Sequence, residues 1–456
     1  MRLLGKVLGM TAAAAALTAM AARADTFTLA QVLAMTYDSN PQLQQARVAL
    51  QALDQGVAQA NAGWRPSVGV SASYGTERGV VSGFPNPFNS DPLIGQVTVQ
   101  QPLYRGGRTV AEVGRAIAQV HAGRAQLASA EQQVLLQAVT AYMDVVRDSE
   151  ALRINRDNVS TLETEFTDVK TELAAGEVTK TDASQAEARL ARARADEALA
   201  ESQLAASRAT FENVIGTPAE TLEREPPLPT LPTTKDRALD LALKDHPDLL
   251  EARASERAAN YAVDDAAGAL LPQVTLSGQY QYLKDAAGTN IYTTKNPQSV
   301  VSVLGQVSVP IYQGGQEEAT VRRAKDSHAQ AELGIVVAER GVRQDLDSAW
   351  QALRSADMAI AADEQQEAAD RTAIAGVKQE QEAGERSVLD VLNAQEELFS
   401  AEVALVSARH DREIAAYKLL SATGQLNARA LGLNVKLYNP RDHYEDAAGA
   451  WFGLGN

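Results

Sequence analysis

Gly95-Gln96-Val97-Thr98-Val99-Gln100-Gln101-Pro102-Leu103-Tyr104-Arg105-Gly106-Gly107 decides the fold. It runs from an alternating segment through a glycine pair into a long helix-like stretch, and the chain then does the same again. Gly305-Gln306-Val307-Ser308-Val309 repeats its first part, and Ile311-Tyr312-Gln313-Gly314-Gly315 repeats Leu103 to Gly107. Working outward, Asn40-Pro41 recurs as His246-Pro247 and Arg65-Pro66 as Leu271-Pro272, each 206 residues later. Ala175-Gly176-Glu177 recurs as Ala383-Gly384-Glu385 and Gly216 as Gly424, each 208 residues later. Order and spacing persist, so the chain is a duplicated unit. The halves are joined by Pro226-Pro227-Leu228-Pro229-Thr230-Leu231-Pro232, an extended strap that neither a helix nor a central strand accommodates.

Within each half the period of the apolar residues changes. Residues 41–63 read as a helix, with Pro41 suited to its first position and Gly63 near its stop. Val68, Val70, Ala72 and Tyr74 then alternate with Ser67, Gly69, Ser71 and Ser73, and Val97 and Val99 with Gln96, Thr98 and Gln100. In the second half Val274, Leu276, Tyr280 and Tyr282 alternate with glutamines and serines, as do Val307, Val309 and Ile311. Four strands of roughly ten residues, the length of a tilted membrane strand, form two hairpins, about 67–104 and 273–312. Their loops carry Phe84-Pro85-Asn86-Pro87-Phe88 and Asn296-Pro297.

Each glycine pair opens a helical stretch, 107–174 and 316–382. In the first, Val134, Ala138, Ala141, Val145, Leu152, Val159, Leu162, Phe166, Val169 and Leu173 keep a coiled-coil rhythm interrupted by Asp148 and Asn155. In the second, Val342, Leu346, Ala349, Leu353, Ala356 and Ile360 keep it until Asp363. Such a rod is about 100 Å long. A turn returns the chain along 180–216 or 387–423, and two short helices stacked end to end match one long one.

Composition closes other routes. The 456 residues include no Cys, which excludes a disulfide framework, a thiol enzyme and a lipoprotein anchor. A net charge of −16 repels a phosphate backbone, so no nucleic-acid partner is expected. Arg2 and Lys6, an apolar run from Val7 to Met20 and Ala22-Arg23-Ala24 read as a secretory signal peptide over 1–24. Its removal leaves 39 basic against 58 acidic residues. The domain reading is therefore 1–24 signal peptide, 25–225 first repeat, 226–232 linker, 233–424 second repeat, and 425–456 a tail that either packs around the waist of the tunnel or stays disordered.

Four strands cannot close a barrel in lipid, because an open edge there leaves backbone groups unpaired. Several copies must share one, and three supply twelve strands. The doubled order of signals, with Asn40-Pro41, Leu103 to Gly107 and Ala383-Gly384-Glu385-Arg386-Ser387-Val388-Leu389-Asp390-Val391-Leu392-Asn393-Ala394, resembles TolC-family outer-membrane channels over roughly 26–424. The resemblance implies a mainly α protein with a small β part: a homotrimer whose duplicated long-helix hairpins form an α-helical tunnel below a twelve-stranded transmembrane β-barrel in outer-membrane lipid. It implies partners too, a periplasmic membrane-fusion adaptor and an inner-membrane pump of ABC or RND type, serving type I secretion or multidrug efflux. Lacking a lipid-acceptor Cys, the chain is more similar to the unlipidated secretion-type branch. A periplasmic structural coiled coil or adaptor would explain the rods but not the strands.

The resemblance also implies where the duct is shut. Asp390 matches an aspartate lining the narrow entrance, and the family's second acidic ring falls on Asn393, which implies a milder cation preference. Asp390 equally suits the first turn of a helix, where the dipole favours an acid. Arg386 matches the gate arginine, Thr181 and Asp182 its partners, and Gln381 a gate position that is usually aromatic. A guanidinium can hold a carboxylate and a hydroxyl together. The turns at Gly176, Glu177, Gly384 and Glu385 are the expected adaptor-docking sites. Tyr74, Tyr104, Tyr280, Tyr282 and Tyr312 suit an interfacial aromatic girdle.

No catalytic constellation is evident: there is no G-x-S-x-G elbow and no H-E-x-x-H, and the glycine pairs lack the Lys-Ser/Thr of a phosphate loop. His121, His246, His328, His410 and His443 show no short ligand spacing, so neither a metal nor a cofactor is expected.

Overall fold

The computed structural model describes residues 26–80, 88–285 and 297–451. The signal-peptide reading, most of the Phe84-to-Phe88 loop and Asn296 lie outside the described residues.

Each repeat begins with two helices set by their caps. Helix α1, Leu29–Ser39, starts at a reciprocal box in which Thr28 N donates to Gln31 Oε1 (2.9 Å) and Gln31 N to Thr28 Oγ1 (3.3 Å). Helix α2, Pro41–Asn61, has Pro41 at its first position, and Asn40 Oδ1 accepts from Gln42 N (2.9 Å) and Leu43 N (3.3 Å). Beyond α2 come strands β1 (Ser67–Tyr74), β2 (Glu77–Gly79), β3 (Phe88–Ser90) and β4 (Leu93–Arg105). Then follow the long helix α3 (Arg108–Ala175) and the return helix α4 (Lys180–Ile215). The second repeat runs α5 (Lys235–Asp245), α6 (Pro247–Gly268), β5 (Gln273–Lys284), β6 (Gln298–Ser308), α7 (Gln316–Glu382) and α8 (Val388–Ala422). A last helix, α9 (Asp442–Gly449), lies in the tail.

Among the described residues, the four long strands make one antiparallel sheet in the order β1-β4-β5-β6. The two hairpins are thus sewn together through β4 and β5, while β2 and β3 form a separate small hairpin above the first. Register sorts most of the side chains by polarity. Val70, Val97, Tyr280 and Val301 stand in one row, and Val68, Val99, Gly278 and Val303 in the next on the same face. The opposite face carries Ser71, Gln96, Gln281 and, as an apolar exception at the edge, Val300, then Gly69, Thr98, Gln279 and Ser302. The valines of the first face are largely exposed in the protomer, with no protein layer over them. Strand β6 ends at Ser308, short of the expected 312, because Pro310 has no N–H to give to a ladder.

The helices pack as a wall. Helix α3 lies between α2 and α4 on one side and α6 and α8 on the other, and α7 packs beside α6 and α8. The short helices stack end to end: Asn40 Nδ2 donates to Val214 O (2.9 Å) and Ser39 Oγ to Ile215 O (3.3 Å), joining the end of α4 to the start of α2. Asp148 and Asn155, which interrupt the coiled-coil rhythm, are buried rather than solvated. Asp148 accepts from Arg147 Nε (2.8 Å) and Ser207 Oγ, and Asn155 Nδ2 donates to Ala151 O (2.8 Å). The tail packs against α2: His443 Nδ1 is 2.9 Å from the buried Asp54 Oδ2, Arg47 lies between the rings of Tyr37 and Tyr438, and Arg65 covers Trp451.

Candidate functional site

The ends of the two helix hairpins farthest from the sheet are built alike. Gly176 and Gly384 end the turns with φ of +82° and +79°, a region a side chain rarely enters. Glu177 N then donates back to Glu172 O (2.9 Å), and Glu385 N to Glu380 O (2.8 Å). Each return helix opens with a capping box. Thr179 Oγ1 accepts from Asp182 N (3.2 Å) while Asp182 Oδ2 accepts from Thr179 N (2.9 Å) and its hydroxyl (2.7 Å). Ser387 and Asp390 repeat this at 3.3, 3.0 and 2.8 Å. The hydrogen bonds from Ser387, backbone first, hold the Asp390 carboxyl below the ordinary aspartate range; the Thr179 side chain and backbone do the same for Asp182. Both acids are anionic at neutral pH, and the helix-start role of Asp390 is present in the structure.

Arg386 is engaged within its own hairpin, donating from Nε to Glu380 Oε2 at 2.9 Å. In one protomer it does not meet Thr181, which is exposed, or Asp182, whose carboxylate is taken by Thr179. Gln381 sits in the last turn of α7 with its carbonyl accepting from Gly384 N (2.9 Å). Other residues tie the two hairpins together. Arg189 of α4 donates to Asn393 Oδ1 (3.0 Å) and Glu396 Oε2 (3.2 Å) of α8, and Lys378 Nζ of α7 lies 2.6 Å from Glu165 Oε1 of α3. Beneath them Val388 and Leu392 pack with Val159, Leu162, Val169 and Leu190. The sequence names none of Arg189, Glu396, Lys378 and Glu165, because partners on other helices emerge only from three-dimensional register; Glu380, six residues before Arg386, is a local partner that the reading passes over.

Higher in the wall, the strap over 224–228 roofs a groove of about 680 Å³ between α3, α7 and α8. In its floor His410 Nε2 lies 2.9 Å from Asp144 Oδ1, and Arg147 Nη1 3.0 Å from the same oxygen. Burial raises the Asp144 carboxyl, but bonds from His410 and Arg147 outweigh it and leave it below its usual value. Glu413, also in the floor, is buried with Oε2 unpartnered among the described residues, and burial pushes it up to about 7.

In the sheet, Tyr74, Tyr104, Tyr280 and Tyr282 share the apolar face. Tyr74 and Tyr282 stand toward its loop end and Tyr104 at its helix end, with Tyr280 one row inside. Tyr312 lies past the end of β6 and is exposed.

A sheet apolar on one face and polar on the other, carried on a wall of long paired helices, defines an outer-membrane channel with a periplasmic tunnel. The family model described as outer membrane efflux protein matches residues 32–217 and 238–425. The outer membrane efflux protein BepC of Brucella suis is 35% identical over 440 residues, spanning 96% of this chain and 94% of BepC. The alkaline protease secretion protein AprF of Pseudomonas aeruginosa is 24% identical over 349 residues, 75% of this chain and 72% of AprF. Among solved structures, the CmeC outer membrane channel of Campylobacter jejuni superposes with a TM-score of 0.77 at 15% identity, over 92% of this chain and 89% of CmeC. The chain belongs to the outer membrane efflux protein family. Its place is the outer membrane of a Gram-negative bacterium, with the helical wall in the periplasm, and the adaptor-like alternative falls away.

Proposed function

We propose that three copies of this chain assemble into a passive export duct, gated at the hairpin ends, that carries cargo from a periplasmic adaptor and inner-membrane pump through the outer membrane without any catalytic step. One observation carries the assembly. Helix α3 buries 25 of its residues within the protomer, whereas its repeat counterpart α7 buries four. One flank of α7 therefore awaits a neighbour, and among the described residues the edges β1 and β6 lack a partner strand. Three protomers close twelve strands, with the valine face toward lipid and the glutamine and serine face toward the lumen. The tyrosines Tyr74, Tyr104, Tyr280, Tyr282 and Tyr312 then serve as interfacial anchors.

At the other end, symmetry brings the Asp390 carboxylates, with Asn393 one turn on, around the entrance. Arg386 exchanges its Glu380 partner for Thr181 and Asp182 of a neighbouring hairpin as the entrance tightens, with Gln381 beside them. The turns at Gly176, Glu177, Gly384 and Glu385 receive the adaptor. The cargo spans what the names of the relatives describe, efflux for BepC and protease secretion for AprF. Planar-bilayer recording of the detergent-extracted protein, with its oligomer mass measured in the same preparation, tests the reading. A trimer giving small, cation-favouring steps supports it; a water-soluble species without conductance removes it.

A further inference from the structure

We infer that Glu256, His328 and Glu332 form a binding site for one divalent transition-metal ion of the Zn²⁺ class, which clamps α6 to α7 in the upper wall. His328 and Glu332 lie one turn apart on α7, and Glu256 faces them from α6. His328 Nε2 is 2.8 Å from Glu256 Oε1 and 3.9 Å from Glu332 Oε1, and the three donor atoms all lie within 4.8 Å of one another. Donors bound to zinc at about 2.0–2.2 Å in a tetrahedron stand roughly 3.3 Å apart, between the two separations seen. Both separations from His328 lie within about 0.6 Å of that spacing.

Charge gives a second reason. Two carboxylates converge on one imidazole nitrogen, whose single proton can be directed at only one of them. Among the described residues neither Glu256 nor Glu332 is in an ion pair with a lysine or arginine. A neutral imidazole with two carboxylates carries two negative charges, which a divalent ion balances. One imidazole nitrogen with carboxylate oxygens suits zinc better than calcium, which takes oxygen alone.

The backbone holds this set in place. All three residues sit in helix interiors, with Glu256 about 18 Å along α6 from its sheet end. Glu332 is mostly exposed, while His328 and Glu256 are about three-quarters covered. In the protomer the ion therefore has an entry path and a fourth position open to water. Histidine spacing in the sequence does not reveal the site because two of its donors are glutamates, one of them 72 residues away on another helix.

The test uses the full-length assembly in detergent, purified without a polyhistidine tag. Zn²⁺ is titrated calorimetrically, and Co²⁺ serves as an absorption probe of coordination. One Zn²⁺ per chain is expected, together with a visible Co²⁺ band of low coordination number. Disturbing a residue that merely orients a zinc ligand costs 10- to 100-fold in affinity, so His328→Gln and Glu256→Gln each weaken binding by at least about tenfold. Zinc raises the melting temperature of the wild type but not of His328→Gln, with unliganded fold checked by circular dichroism. No Zn²⁺ binding tighter than about 1 mM, or unchanged affinity in His328→Gln, overturns the site and assigns any bound zinc to other histidines.

Discussion

Arg189 and Asn393 are hydrogen-bonded across the two return helices, Nη2 to Oδ1 at 3.0 Å, and the other Nη of the same guanidinium reaches Glu396. The bond places Asn393, at the position where the family resemblance implies a second acidic ring, under the control of a cation from the neighbouring hairpin. Neutral Asn pairs with Arg189 without adding charge to the hairpin end.

Asn393→Asp converts this contact into a charge-assisted pair and adds a carboxylate per subunit near Asp390. Part of the new charge is neutralised by Arg189, so the gain in cation selectivity is moderate and grows when Arg189 is also replaced by Ala. Reversal potentials under a salt gradient measure both steps. Identical potentials in wild type and Asn393→Asp would place residue 393 outside the ion path.

The Arg386–Glu380 pair is about half exposed on both sides, so it contributes only about 0–1 kcal/mol to the fold. Arg386→Ser is therefore expected to leave the melting temperature nearly unchanged while raising single-channel conductance. A variant with unaltered conductance removes Arg386 from the lock, and one that melts markedly lower assigns it to the fold instead.

The capping boxes separate a structural from a pore role for the acids. Ser387→Ala removes the acceptor for Asp390 N and the hydroxyl donor to its carboxylate, at a cost of about 1 kcal/mol to the first turn of α8. Faster amide exchange over residues 388–391 is the expected readout, with ion selectivity unchanged. Both Asp182 and Asp390 have depressed carboxyl values in the folded chain. Their stabilisation is present above the ordinary aspartate range and is lost as pH falls through the depressed values, loosening both hairpin ends only in acid.

Gly106 makes a sharper test of the junction between barrel and tunnel. It holds φ +65°, and a Cβ there would stand 2.2 Å from Gly268 O and 2.9 Å from Leu271 Cβ. Backbone cannot yield as a flexible side chain can, so Gly106→Ala is expected to cost more than about 3 kcal/mol and to abolish outer-membrane assembly. Wild-type levels of heat-resistant oligomer in this variant would show that the β4–α3 junction repacks.

Much of this molecule is legible in its sequence because its signals are long or repeated. The glycine pairs at 106 and 314 and the turns at 176 and 384 bound both long helices within a residue or two. Period-two valines likewise give four strands and the polarity of each face. What escapes is what depends on register between distant segments. The β4–β5 pairing joins residues as much as 191 apart, as Leu93 with Lys284, and nothing local encodes it. Asp148 and Asn155 read only as polar interruptions of a seam; they lie buried, because Ser207 and Arg147 for one and the Ala151 carbonyl for the other satisfy them. The short helix α1 is within reach of the sequence: Thr28 and Gln31 spell a capping box, but they stand directly after the stretch read as a signal peptide, where its signal is easily passed over. The hairpin ends are legible in their turn glycines and capping acids, while the Arg189 partner of Asn393 is not, since it is set by how the hairpins meet.

Glu413 carries the pH dependence of the wall. Its Oε2 is buried without a partner, and burial raises its carboxyl to about 7 against an opposing pull from Arg412. Tyr417, one turn on, is raised to about 12 by burial and then by the Glu413 charge. Because the folded value lies above the unfolded one, the folded chain keeps a proton between roughly pH 4.5 and 7 that the unfolded chain has released. Stability therefore falls as pH rises across that window and levels off above it. Glu413→Gln has the shape of the protonated acid and no charge to desolvate, so it gains on the order of 1 kcal/mol over wild type at about pH 8 and almost nothing at about pH 4, with partial solvent access limiting the gain. Unfolding in detergent at the two pH values measures the difference. An equal effect of the substitution at both would show that the Glu413 carboxyl titrates normally and that the groove beneath the strap is already hydrated.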